Sequence, residues 1–217
     1  MFSERQKKCI EKYRESGDYT AISTDFGSGG IGVIDDAFTQ TRGALDALQL
    51  LFDEIPDTQK YQVVMDVYMM SKSPAKEMLN YIKAIKSLVP DNLTATIKDH
   101  IDDSGNLTIY RGGLQVKNPG LCTSWTLSKE QAEWFAKRYI DRPDATDTVV
   151  YRGFVKATDI IGYTNDREEQ EIIQYQSVEN IEIVDKYEKP SDEKIATAVS
   201  ASPLAGVQPI HPTALSI

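Results

Sequence analysis

Residues 123–139 read Thr-Ser-Trp-Thr-Leu-Ser-Lys-Glu-Gln-Ala-Glu-Trp-Phe-Ala-Lys-Arg-Tyr. Hydroxyl side chains at Ser124, Thr126 and Ser128 alternate, so in an extended chain they share one face. At Ser128 the period changes. Ala132, Phe135, Ala136 and Tyr139 recur at spacings of three and four, which predicts a helix beginning at Lys129. Ser128 stands at the N-cap position and Gln131 three residues on, a capping-box pattern. A short strand feeding directly into an amphipathic helix, amid other β-type runs, predicts an α+β fold.

Those runs lie on both sides of the quoted stretch. Before it is 107–111 (LTIYR); after it come 147–155 (DTVVYRGFV), 171–175 (EIIQY) and 181–184 (IEIV). The turn cluster Asp102-Asp103-Ser104-Gly105-Asn106 marks where this β-rich region starts. Upstream, the pattern is helical. Residues 3–16 carry Cys9, Ile10 and Tyr13 among charges, and 35–54 place Ala44, Leu45, Leu48, Leu51 and Phe52 at helical spacing. A third segment starts at Asp57 or Thr58, either of which can cap it, and carries Val63, Val64, Val67 and Tyr68. Its β-branched residues leave a strand open as the alternative. Ser73-Pro74 starts a fourth helix through Met78, Leu79, Ile82 and Ile85, ending before Pro90. Pro190, Pro203, Pro209 and Pro212 among small residues predict a flexible tail. The expected organisation is a helical region over 1–101, a β-rich core over 102–189 and a tail over 190–217. The core is expected as a split sheet, mixed or antiparallel, with the helical region packed against it.

Composition narrows the functional classes. The chain has 217 residues, 41% of them hydrophobic and 26% charged, as expected of a globular protein rather than a disordered one. A formal net charge of −9 disfavours broad binding to nucleic acid, which needs a basic face, and gives a weak preference for basic partners. Two cysteines, Cys9 and Cys122, make no disulfide framework and are expected as reduced thiols. With only two histidines beside them, no metal-ligand spacing is present, and no metal is expected. The N-terminus has charges throughout and no apolar h-region, and no apolar run reaches bilayer length. A cytoplasmic protein without membrane contact is the expectation.

Three stretches carry residue types suited to chemistry. Leu107-Thr108-Ile109-Tyr110-Arg111-Gly112-Gly113 ends an apolar run in an arginine, whose fork of donors suits phosphate, and two glycines that admit close approach to the backbone. A solvated arginine at a strand end is the ordinary alternative. Ser124 and Thr126 can bond a ribose or hold a carboxylate, or simply belong to a strand that Ser128 terminates. Arg167-Glu168-Glu169-Gln170-Glu171-Ile172-Ile173 places Glu169 and Glu171 on one side if the strand has begun there. Two like charges on one face are a cost unless they act, for instance by stabilising a cationic sugar and activating a nucleophile. A charged loop before an edge strand is the alternative.

Taken in order, an arginine at a strand end, a serine–threonine strand followed by a helix, and Glu-x-Glu before an apolar strand resemble the Arg-Ser-Glu motif set of the mono-ADP-ribosyltransferases. The likeness spans roughly residues 107–187 and is nearest to small phage-encoded and arginine-specific members. The resemblance implies the split β core of that superfamily and NAD as the substrate. It implies that Arg111 grips the NAD phosphates beside Gly112. It implies that Ser124 positions the catalytic glutamate, that Glu171 is that glutamate, and that Glu169 orients or activates the acceptor. Thr126 matches the second hydroxyl of the family's Ser-Thr-Ser strand less closely, because Trp125 intervenes. The implied acceptor is a macromolecule, an arginine of a host protein in the host cytoplasm for a phage-encoded chain. Two other classes stay open: a non-catalytic protein that binds and inhibits a host protein, and ADP-ribosylation of nucleic acid.

One rival motif exists. Residues 27–32 read Gly-x-Gly-x-x-Gly, and Ala21-Ile22-Ser23 could form a strand ahead of it. A dinucleotide fingerprint also needs a second strand ending in an acidic residue. Asp46 and Asp53 fall inside a helical pattern instead, which favours a loop. Asp25-Phe26-Gly27 resembles a kinase tripeptide but lacks the companion motifs.

Overall fold

In the computed structural model, the described residues are 2–27, 37–70, 77–140, 147–165 and 168–189. Helices fill the first part: α1 Glu4–Ser16, α2 Ile22–Phe26, α3 Ala37–Leu51, α4 Asp57–Met70, α5 Met78–Ala84 and the short α6 Leu93–Thr96. The expected start at Ser73-Pro74, most of the glycine stretch and the tail lie outside the described residues. Helix α1 is closed at both ends. Ser3 and Gln6 form a capping box, and Gly17 takes a left-handed φ of 69° after the last turn. The third segment is helix, not strand. Its first-turn amides at Gln59 and Lys60 bond to the Pro56 carbonyl, so Asp57 sits inside the first turn rather than capping it.

The β region follows as β1 Asn106–Leu114, β2 Ser124–Thr126, β3 Asp147–Lys156, β4 Ile160–Thr164, β5 Glu171–Gln174 and β6 Glu179–Glu188, with helix α7 Lys129–Ile140 after β2. The strands form one six-stranded sheet ordered β4-β5-β2-β1-β3-β6. Every pairing in it is antiparallel, so the mixed alternative is excluded among these strands. Strand β4 was not expected. Its sequence, Ile-Ile-Gly-Tyr-Thr, buries consecutive residues and shows no alternation. The sheet narrows at its middle: β1 and β2 register through one residue pair, Tyr110 with Thr126, whereas β1 and β3 register over nine.

The two halves are covered differently on one face. Helix α7 lies on β1 and β3, where Ala132 and Ala136 pack with Val150 and Tyr110. The N-terminal helices lie on β4 and β5, where Ile161 and Ile173 join a cluster with Leu48, Leu51, Val64, Met65 and Tyr68. On the opposite face a common cluster of Leu107, Ile109, Trp125, Val149, Tyr151 and Ile172 runs beneath both halves. Trp125 is thus a core residue, with its indole N–H bonded to the Cys122 carbonyl at 2.8 Å.

Gly112 explains how α7 comes so close to β1. A Cβ at this position would overlap the Ala132 carbonyl oxygen and lie 2.9 Å from the Ala136 nitrogen. The close approach that this glycine permits is that of a helix backbone. Gly112→Ala should therefore destabilise the protein by about 3 kcal/mol, the upper end of overpacking costs. Thermal unfolding measures this; an unchanged midpoint would mean that α7 can shift freely.

Candidate active site

The functional candidates gather where β1, β2 and β5 lie side by side. Antiparallel register sets Thr126 opposite Glu171 and Ser124 opposite Ile173, so Ser124, Thr126 and Glu171 share a face. Glu171 is the first residue of β5 and is only 9% exposed. A carboxylate so far from water needs hydrogen-bond donors. One comes from outside the β region: the Tyr68 phenol of α4 donates to Glu171 Oε1 at 3.2 Å. The Ser124 side chain lies near the same phenol, where it opposes the effects of burial and of Glu171.

Arg111 reaches this group from β1. Strand alternation assigns it to the face of Ile109 and away from α7. Just past the single Tyr110–Thr126 pair its guanidinium nevertheless donates through Nη1 to the Ser124 carbonyl at 2.6 Å. One of its five donors is committed there. Its charge is felt at Tyr68, where it opposes the stronger effects of burial and of Glu171. Gly112, the next residue, faces α7 instead of a ligand.

The Glu-x-Glu segment differs from the strand entry expected. Glu168 and Gln170 both adopt left-handed backbone, at φ 60° and 45°, so alternation stops at Glu171 and does not carry back to Glu169. Glu169 is half-buried in the loop between them. Non-glycine residues hold such conformations only where the surroundings enforce them. Here the Thr126 hydroxyl donates to the Glu169 carbonyl at 2.7 Å, and the Leu127 amide donates to the Gln170 carbonyl at 3.1 Å. From the other side, the Gln170 amide donates to Asn165 Oδ1 at 3.2 Å and the Glu168 amide to the Asn165 carbonyl at 3.0 Å. Thr126 also accepts from the Ser128 amide at 3.0 Å, while Ser128 Oγ caps α7 through the Gln131 amide at 3.1 Å. Thr126 therefore ties the acidic loop to the start of α7. Arg167 lies outside the described residues.

Arg152, the other Tyr-Arg-Gly arginine, pairs with Glu182 of β6 on the far side of β1 and takes no part. Ala21-Ile22-Ser23, the possible strand of the disfavoured dinucleotide motif, is not one; Ile22 and Ser23 open helix α2, which removes the element that a dinucleotide fingerprint would need before its glycines. The residue that the sequence reading missed is Tyr68. No local pattern marks it, because its partner is 103 residues away.

Burial pushes the Tyr68 phenol well above its ordinary value of 10.0, and the neighbouring Glu171 charge pushes it further. Tyr13 is raised by burial and by its hydrogen bond to Asp25. In both cases the folded protein holds its proton past the pH at which the unfolded chain releases it. Their contribution is complete below pH 10.0 and is lost as pH climbs beyond it. The thermal midpoint should fall steeply above that pH, and less steeply in a Tyr13→Phe, Tyr68→Phe double variant. Identical alkaline slopes would contradict the assignment.

No family model, curated protein or solved structure matches the chain. Among the described residues, no helix is long and apolar enough to cross a membrane.

Proposed function

We propose that the protein is an NAD-dependent mono-ADP-ribosyltransferase. The observation that supports this most is the convergence of Arg111, Ser124 and Glu171, from three strands, around the buried Tyr68–Glu171 pair. The sheet would then be the split β core of that superfamily, divided where β1 and β2 share their single pair.

The residues suit the chemistry in distinct ways. Arg111 would hold the NAD diphosphate by paired donors and so fix the nicotinamide ribose in place. Glu171 would accept a hydrogen bond from the ribose 2′-hydroxyl and set its negative charge beside the ribose carbon. The bond from that carbon to nicotinamide breaks, its electron pair leaves with nicotinamide, and an oxocarbenium-like ribose results. Ser124 would keep the glutamate side chain in place. Glu169 would take the proton from the acceptor as its lone pair forms the new bond to the ribose carbon. The proposed acceptor is an arginine side chain of a host protein, in keeping with the acidic net charge.

Incubation with NAD labelled in its adenylate part, alongside a bacterial lysate, tests the reading. Nicotinamide release together with labelled protein bands is the expected result. Label in nucleic acid would move the acceptor class. Folded protein that neither releases nicotinamide nor transfers label would sink the reading in favour of a non-catalytic binding protein.

A further inference from the structure

We propose that Tyr68 is a positioning residue for Glu171, and that the helical half of the chain is in this way part of the active site. This rests on the transferase reading above. Helix α4 crosses the sheet with one face down, and three residues along that face meet three successive points. Tyr61 donates its phenol to the Ile161 carbonyl on β4 at 2.9 Å. One turn on, Met65 lies against Gly162, where a Cβ would be 2.5 Å from the Met65 methyl. One turn further, Tyr68 reaches Glu171 on β5. The spacing 61, 65, 68 is that of neighbours on one helical stripe. The Met65 methyl occupies the space that a glycine leaves at position 162. Tyr68 is itself buried, in the same cluster as Ile161 and Ile173, so the phenol is fixed rather than swinging.

The bond engages Oε1 only. A carboxylate has a second oxygen and about four lone-pair positions, so one fixed donor sets its rotation without saturating it. Oε2 is the oxygen this geometry assigns to the ribose 2′-hydroxyl. A merely structural tyrosine would affect folding. A positioning tyrosine affects the chemical step while leaving NAD binding, which rests on Arg111, nearly as it was.

The test uses the full chain and compares wild type, Tyr68→Phe, Glu171→Gln and the double variant. Phenylalanine keeps the ring and removes only the donor. Tyr68→Phe is expected to lower kcat for nicotinamide release about tenfold, the effect of one charged hydrogen bond, with KM for NAD within about twofold. The thermal midpoint shifts of Tyr68→Phe and Glu171→Gln should not add in the double variant, because the first removes the bond and the second takes from the same bond the charge that strengthens it. If the wild type turns over and Glu171→Gln abolishes this, yet Tyr68→Phe stays within twofold in kcat, the positioning role alone is wrong. A wild type that releases no nicotinamide overturns the transferase reading and this role with it. Additive midpoint shifts would show that the bond does not exist in solution.

Discussion

Under the transferase reading, Glu171→Gln is expected to lower nicotinamide release on the order of 10²–10³-fold, the size of effect seen when one preorganised electrostatic group is removed from a transition state. The amide has nearly the shape of the carboxylate and can still accept the Tyr68 proton on its oxygen, so the fold is retained. What disappears is the full negative charge beside the ribose carbon. That charge matters most when the carbon is cationic and little when NAD is only bound, so kcat falls while KM stays within a small factor. Burial sharpens the expectation. At 9% exposure the Glu171 carboxylate acts in a medium where water screens it weakly. Steady-state kinetics with matched thermal melts checks this. A variant that turns over within tenfold of wild type would remove Glu171 from the chemistry.

Arg111→Lys should lower kcat/KM by roughly 10- to 100-fold, the equivalent of losing one or two hydrogen bonds to a charged group. The charge is conserved, but the planar fork is not. An ammonium cannot serve the Ser124 carbonyl and a diphosphate oxygen with the same fixed geometry. Both kcat and KM are expected to suffer here, in contrast to Glu171→Gln, because the proposed diphosphate grip would support binding and orientation alike. Isothermal binding of NAD to the variant separates the two contributions. Unaltered binding and turnover would reassign Arg111 to a structural role at the β1–β2 junction.

Sequence patterns revealed the parts of this molecule whose determinants are local. The Ser128 cap and the apolar face of α7 follow from residues within one or two turns of each other, as does the alternation of Ser124 and Thr126. Strand β4 was hidden because Ile160, Ile161 and Gly162 are all buried, which erases the two-residue period and leaves a short apolar run of ambiguous type. Gly112 was misread for a related reason. A glycine in a strand shows that something comes close, but only the tertiary structure identifies that partner as α7. Glu169 and Glu171 share a face only if the strand begins before Glu171, and the left-handed Gln170 decides for the loop alternative. Tyr68 was legible as a core residue of a helix and not as a site residue, since its phenol serves a carboxylate in a different part of the chain.

Among the described residues, the order β4-β5-β2-β1-β3-β6 leaves β4 and β6 as edge strands, and each is made unattractive to a neighbouring molecule. Such margins are templates for intermolecular strand addition. On β6 the defence is charge: Glu179, Glu182, Asp185, Lys186 and Glu188 line the outermost strand, most of them exposed. On β4 it is occupancy: the carbonyl of Ile161 already accepts a hydrogen bond from the Tyr61 hydroxyl. The Tyr61 contact thereby has a colloidal consequence, since the bond that seats the helix also occupies an acceptor of a strand at the sheet's edge, where aggregation would begin.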